Sequence, residues 1–153
     1  MTPPKIPFTP AKYAALQLKV TALNSELKEV MIRLKDAREM GDLSENGAYK
    51  YAKFEMGRIK RELRGLHDLL ARGEAVTLVP SSQVQFGSLV TLKSAAGKLT
   101  EYQMVSQYES DPAAAKLSMD SPIGLAVMGK RAGASVTVAT PTGEVSFEVV
   151  GVE

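Results

Sequence analysis

The sequence predicts an α+β protein in which an N-terminal antiparallel α-helical coiled-coil hairpin precedes a small antiparallel β-sheet domain with one short helix. Two observations carry this prediction. Apolar residues follow a heptad pattern through the first half of the chain, and the period falls towards two in the second half, where turn residues separate the apolar runs. We place the domain limits at 1–79 for the hairpin, 80–83 for a linker and 84–153 for the globular domain.

The first helix is predicted to begin at Thr9-Pro10, where a capping hydroxyl precedes a proline whose fixed φ suits the first turn. The apolar positions that follow are spaced alternately by four and three residues, as in the seam of a coiled coil. They are Leu16, Val20, Leu23, Leu27, Val30, Leu34 and Ala37.

A second helix with the same spacing is predicted after the segment "MGDLSE" (40–45). Its apolar positions are Tyr49, Ala52, Met56, Ile59, Leu63, Leu66 and Leu70. Because the connection is so short, the two helices are expected to lie antiparallel. Each arm of ~30 residues is ~45 Å long at ~1.5 Å per residue, so the hairpin forms a rod.

The second half contains four strand-like runs: "VQFGSLVTLKS", "LTEYQMVSQY", "ASVTVAT" and "VSFEVVGV". The segment "TPTGEV" (140–145) predicts a hairpin turn, with Pro141 and Gly143 supplying the special dihedral angles. Ser121-Pro122 followed by "IGLAVMG" predicts one short helix that Ser121 caps.

Composition excludes several classes of function. The chain has no Cys and one His, which excludes disulfides, thiol catalysis and a His-rich metal site. It has no apolar run of the ~20 residues that span a bilayer and no signal-peptide pattern, so we expect a cytoplasmic protein without membrane contact. Residues 1–79 carry 14 Lys and Arg against 10 Asp and Glu. This excess of positive charge indicates an acidic partner, and nucleic acid, RNA or DNA, is one candidate.

Two acids, Asp42 and Glu45, stand three residues apart in "REMGDLSENGAY" (38–49), between the two helices. One interpretation is a capping box, in which Asp42 caps the second helix and Glu45 reaches back. The other is a pair of carboxylates that converge on one Mg²⁺. Two carboxylates leave an octahedral Mg²⁺ shell incomplete, so such a pair works best by completing a site that a partner holds.

The same segment carries a resemblance to a known family. "AREMGDLSENGAY" resembles the tip signature of the bacterial Gre transcript-cleavage factors, GreA and GreB, whose usual form is close to A-R-E-x-G-D-L-x-E-N-A-E-Y. The start "PFTPAKYAAL" and the end "SPIGLAVMGKRAGASVTVATPTGEVSFEVVGV" are also similar to that family. The chain resembles GreA slightly more than GreB, because the rod near the tip is not strongly basic.

The resemblance implies a transcription elongation factor that is not itself an enzyme. It implies that the C-terminal domain, FKBP-like in fold, binds bacterial RNA polymerase, and that the coiled coil enters the secondary channel. The tip acids, Asp42 and Glu45, then help to hold a Mg²⁺ at the polymerase active site and stimulate cleavage of backtracked RNA. Ser44, Asn46 and Tyr49 are expected to support the tip.

Two lysines, Lys50 and Lys53, lie three apart on the second helix and are expected to contact the 3′ region of the nascent RNA, where the resemblance places a basic patch. The signature departs from its usual form at Gly47 and Ala48, which predicts a looser first turn after the tip. We expect a monomer that holds no metal stably by itself.

Two alternatives stay open from the sequence. One is a Gre-related protein that occupies the polymerase channel and inhibits transcription without stimulating cleavage. The other, from a different class, is a coiled-coil chaperone or adaptor whose β domain binds peptides.

Overall fold

The computed structural model describes residues 5–41 and 46–153. The chain divides into two compact units, one containing Tyr13–Gly73 and the other containing Ile6–Lys12 together with Glu74–Glu153. The predicted fold class is confirmed: two long helices precede a curled β-sheet with a short helix. The domain limits 1–79, 80–83 and 84–153 stay a prediction, and they do not anticipate that Ile6–Lys12 joins the second unit.

A short strand, β1 (Ile6–Phe8), leads into helix α1 (Pro10–Arg38). The helix begins as predicted, because the Thr9 hydroxyl oxygen accepts a hydrogen bond from the Lys12 amide at 3.2 Å. Its buried side chains lie on the predicted heptad seam, where Val20 and Leu27 are half-buried and the others are buried: Leu16, Leu23, Val30, Leu34 and Ala37.

Helix α2 (Gly47–Arg72) buries the matching seam and ends at strand β2 (Gly73–Ala75), which pairs with β1. Its buried side chains are Ala52, Ile59, Leu63 and Leu66. Burial of one apolar stripe on each helix is the main source of stability for a two-helix hairpin, since the helices bury little else.

Ion pairs between the helices confirm that they run antiparallel. Lys19 pairs with Glu62 at 3.2 Å and Arg33 pairs with Glu55 at 2.7 Å, so a later position in α1 meets an earlier position in α2. Each pair is partly exposed and is worth at most ~1 kcal/mol. The pairs are therefore consistent with the antiparallel register of the two helices and contribute little to its stability.

The second unit contains a five-stranded sheet in the order β5-β4-β3-β7-β6. The strands are β3 (Leu89–Ser94), β4 (Leu99–Val105), β5 (Lys116–Ser118), β6 (Ser135–Thr140) and β7 (Gly143–Val152). Strands β6 and β7 form the predicted hairpin, in which Thr140 faces Gly143 and Gly143 has a φ of +125°. The hydrophobic core comprises Val84, Val90, Leu92, Met104, Val127, Val136 and Val149.

One edge of this sheet differs from the predicted antiparallel arrangement. Strand β5 pairs with β4 in parallel, so the sheet is mixed. The chain reaches β5 through a short 3-10 helix, Pro112–Ala114. Three residues are too few to display a period of two, which is why the sequence did not predict β5.

The short helix α3 (Pro122–Val127) forms where the sequence predicts it. The Ser121 hydroxyl accepts a hydrogen bond from the Gly124 amide at 3.0 Å and caps the helix. Val127 belongs to the same hydrophobic core as the strands. The second unit is therefore a mixed sheet with one helix packed into its core.

Candidate functional site

The predicted site lies at the end of the hairpin, where the chain passes from α1 to α2. Asp42, Ser44 and Glu45 lie outside the described residues. The structure does describe both flanks of this segment, the last turn of α1 and the first turn of α2. Asn46 and Tyr49, which the sequence predicts to support the tip, lie on the second of these flanks.

Asn46 joins the two helix ends. Its side-chain oxygen accepts a hydrogen bond from the Tyr49 amide at 3.0 Å, which makes Asn46 the N-cap of α2. Its side-chain nitrogen donates to the Ala37 carbonyl in the last turn of α1 at 2.7 Å. One amide therefore satisfies an amide at the start of α2 and binds a carbonyl near the end of α1.

This contact bears on the two interpretations of the acids. In the capping-box interpretation, Asp42 is the residue that caps the second helix. The N-cap of α2 is Asn46 instead, so the helix does not require Asp42 in that role.

The ring of Tyr49 lies beside two cations. The Arg38 guanidinium carbon is 5.9 Å from the ring centroid, and the Lys53 ammonium nitrogen is 5.4 Å from it. Both distances are within the range of a cation–π interaction, worth about 0.5–1 kcal/mol at exposed sites. Tyr49 thus links Arg38, at the end of α1, to Lys53 in the second turn of α2.

Positive charge dominates the first five turns of α2. Lys50 and Lys53 are exposed, and so are Lys60, Arg61 and Arg64. The only acids between Gly47 and His67 are Glu55 and Glu62. Glu55 pairs with Arg33, and Glu62 pairs with Lys19 and Arg58. The exposed lysines and arginines on the outer side of α2 therefore have few acids to offset them.

A groove of about 210 Å³ lies between the helix ends. Ala37 and Met40 line it from α1 and the residues after it, and Ala48 and Tyr51 line it from α2. The side chain of Met40 is 76% exposed. The groove is mainly apolar, in contrast to the charged outer side of α2.

The donor set suits Mg²⁺ and falls short of a complete site. Carboxylate oxygens are the ligands that Mg²⁺ prefers, and Asp42 and Glu45 supply two carboxylates where about six oxygens are needed. Among residues 5–41 and 46–153, no three His, Cys, Asp or Glu side chains gather into a group that would hold a metal.

Three features of the site were missed by the sequence reasoning. They are the bond from Asn46 to Ala37, the contact of Arg38 with Tyr49, and two exposed aromatic rings, Tyr51 and Phe54. Only the rings left a signal in the sequence. They fall off the heptad seam, so their helical phase already predicts that they are not buried in it.

Both halves of the chain match models of transcription elongation factors. The model described as "Transcription elongation factor, N-terminal" matches residues 6–74. The model described as "Transcription elongation factor, GreA/GreB, C-term" matches residues 79–153.

Relatives named Transcription elongation factor GreA are similar over nearly the full length. The protein of Neorickettsia sennetsu is 36% identical over 153 residues, which cover 97% of this chain and 96% of the relative. That of Sphingopyxis alaskensis is 33% identical over 151 residues, which cover 97% of this chain and 96% of the relative. The chain therefore belongs to the GreA/GreB family of transcription elongation factors, and the predicted likeness to GreA is confirmed.

Among solved structures, the chain is similar to the GreA factor homolog 1 (Gfh1) of Thermus thermophilus. The two are 28% identical, with a TM-score of 0.46, and the match covers 97% of this chain and 99% of the other.

In the described part of the chain, neither long helix has an apolar stretch that would cross a membrane.

Proposed function

We propose that this GreA-type elongation factor binds bacterial RNA polymerase and stimulates cleavage of backtracked nascent RNA. The C-terminal unit binds the polymerase, and the hairpin enters the secondary channel. Membership of the GreA/GreB family supports this proposal. The length of the helices supports it as well, because the 29 residues of α1 extend for ~44 Å and suit a long channel.

Asp42 and Glu45 are the residues that carry out the proposed function. Their carboxylates hold a Mg²⁺ together with groups of the polymerase active site. When bound there, this Mg²⁺ stabilises the charge that develops during hydrolysis of a phosphodiester bond. The chain supplies only part of the metal shell, so it activates the nuclease of the polymerase and is not an enzyme by itself.

The neighbouring residues position this pair and the RNA. Asn46 fixes the start of α2 against the end of α1, and Tyr49 holds Arg38 and Lys53 beside it. Lys50 and Lys53 bind phosphates in the 3′ region of the transcript, and salt weakens this contact. Ser44 supports the tip. The factor acts as a monomer, since one tip completes one site.

The observation that carries this proposal is the capping of α2 by Asn46. Because Asn46 caps α2, the helix does not need Asp42 as its N-cap, which favours the metal interpretation of the acids over the capping box. Two carboxylates three residues apart repel each other, and binding of a cation relieves that repulsion. The adaptor alternative has no support of this kind, and both halves of the chain match the elongation-factor family.

The test uses halted, backtracked polymerase complexes with labelled RNA. We expect the wild-type chain to shorten the RNA from its 3′ end, and Asp42→Asn or Glu45→Gln to slow this cleavage by about 100-fold or more. Polymerase binding, measured by co-sedimentation, stays unchanged. The matched control is Glu39→Gln, which removes one negative charge from an exposed residue near the same end of the hairpin.

Two outcomes would contradict the proposal. If the Asp42→Asn, Glu45→Gln double variant cleaves as fast as wild type, the acids do not act on the metal. If the wild-type chain slows RNA synthesis without shortening the transcript, it is the channel-occupying inhibitor instead.

A further inference from the structure

Two aromatic rings are exposed on the hairpin near its tip. Tyr51 is 60% exposed and Phe54 is 66% exposed, although both belong to a well-formed helix with an apolar seam available on its other side. They lie three residues apart, so their β-carbons are ~5–6 Å from each other on one side of α2. Two large rings held in water at this spacing form a surface that a flat partner fits.

The charge around these rings selects the kind of partner. Lys50 is exposed and lies four residues before Phe54, so the two share one side of α2, whereas the exposed Lys53 lies beside the ring of Tyr49. Further along the helix, Lys60, Arg61 and Arg64 are exposed as well. From Lys50 to Arg64 this cationic stretch extends for ~20 Å. The acids of the same stretch, Glu55 and Glu62, are half-buried and paired with cations.

Cations interleaved with exposed rings are the pattern of a surface for single-stranded nucleic acid. Lysines follow the phosphates, while the rings stack on the bases, which all have a flat π-face. A protein partner fits this surface less well, because the centres of protein interfaces are depleted of Lys.

We propose that Tyr51 and Phe54 stack on bases of single-stranded RNA whose phosphates contact Lys50. This inference rests on the proposed function for the identity of the strand, which is the extruded 3′ end of the transcript. It adds base stacking to the phosphate contacts and gives the hairpin a grip on RNA that does not depend on the metal. Phe54 is the stronger of the two stacking sites. Asp36 lines the groove that Tyr51 borders, and its carboxylate repels the phosphates of a strand there.

A weak contact is enough for this role. Inside a channel the strand and the helix are held at a high effective concentration, in the millimolar range for tethered partners. Stacking on the two rings together contributes about a tenfold gain in affinity or more. The free chain therefore binds a short strand weakly and measurably at low ionic strength, where the phosphate contacts are strongest.

The test measures binding of the full chain to two fluorescent strands by anisotropy at low salt. One strand is a short oligoadenylate, and the other is an abasic strand of the same length. We expect wild type to prefer the oligoadenylate, and Tyr51→Leu, Phe54→Leu to weaken that binding about tenfold while leaving the abasic strand unchanged. Leucine is a good helix former, so the substitution preserves the helix.

Two further variants separate the contributions. Lys50→Gln, Lys53→Gln weakens both strands alike and lowers the salt dependence. Ile32→Ala removes an exposed apolar side chain from α1 of the same hairpin and has no effect on either strand. This assay contains no polymerase, so its result is independent of whether the chain stimulates cleavage.

The proposal is overturned if wild type binds both strands equally, or binds neither up to millimolar strand. It is also overturned if Tyr51→Leu, Phe54→Leu leaves oligoadenylate binding unchanged and weakens binding to polymerase, because the rings then contact protein. Loss of cleavage in the acid variants with retained oligoadenylate binding supports separate roles for the acids and the rings.

Discussion

Asn46 is the residue at which the two helices of the hairpin are joined. Its side chain makes one bond within α2 and one to α1, so it acts as a cap and as a bridge. The sequence can indicate the cap, since Asn is a favoured N-cap residue. It cannot indicate the bridge, because the bond to Ala37 depends on how the chain turns between the helices. Nothing in the order of residues fixes that geometry.

Replacement of Asn46 measures the two bonds separately. We expect Asn46→Ala to lower the free energy of unfolding of the hairpin by about 2 kcal/mol, as both the cap and the bridge are lost. Asn46→Asp retains the acceptor for Tyr49 and loses the donor to Ala37, so it loses about half as much. Amide hydrogen exchange in α1 and α2 reports both values for this unit alone.

The control for this pair is Asn24→Ala, an exposed position within α1. Alanine is the better helix former there, so no loss is expected. Equal stability of Asn46→Ala and wild type would show that the two bonds contribute nothing.

At the scale of the elements, the two long helices could be predicted because their apolar heptad pattern extends over many residues. Every position of the two predicted seams is buried or half-buried. Tertiary pairing was less predictable, as β5 shows: it has three residues and takes its place from a parallel partner, β4. A seam of several heptads carries its own signal, whereas a short edge strand depends on the sheet that is already present.

Two glycines in helices have opposite surroundings, and this contrast predicts opposite effects of alanine. A β-carbon at Gly65 in α2 meets no atom within 4 Å, while one at Gly124 in α3 would lie 2.0 Å from the Ser118 carbonyl oxygen. We expect Gly65→Ala to stabilise the hairpin by ~1 kcal/mol. Gly124→Ala destabilises the second unit by about 1–3 kcal/mol or more, because backbone must move.

Hydrogen exchange resolved by residue distinguishes these effects, since each variant changes protection in its own unit. A loss of protection in Gly65→Ala would mean that the hairpin requires a glycine there for a reason other than space. Unchanged protection in Gly124→Ala would mean that α3 moves away from Ser118 at little cost.

At the scale of the whole molecule, one contact shows the limit of the sequence. The buried carboxylate of Glu109 accepts hydrogen bonds from the Thr9 amide, at 3.2 Å, and from the Thr9 hydroxyl. The predicted cap of α1 is thus also an anchor of Ile6–Lys12 in the second unit. The two residues are 100 positions apart, and no local pattern relates them.

The same limit applies to the functional site. The sequence predicts the acids and Tyr49 as site residues because the family signature is local, and their roles stay a prediction. It did not show that the ring of Tyr49 lies beside Arg38 and Lys53, because that contact depends on side-chain placement across the hairpin. The signature of the tip is therefore local in the sequence, whereas the side-chain contacts on the hairpin depend on the folded structure.

The Mg²⁺ dependence of transcript cleavage tests most directly whether the tip completes a metal site. Cleavage in backtracked complexes is followed over a series of Mg²⁺ concentrations, with saturating wild-type chain and with Asp42→Asn. We expect wild type to lower the Mg²⁺ concentration for half-maximal cleavage by about tenfold or more, and Asp42→Asn to remove most of that shift. An identical Mg²⁺ requirement with wild type, with the variant and without the chain would contradict a shared metal site.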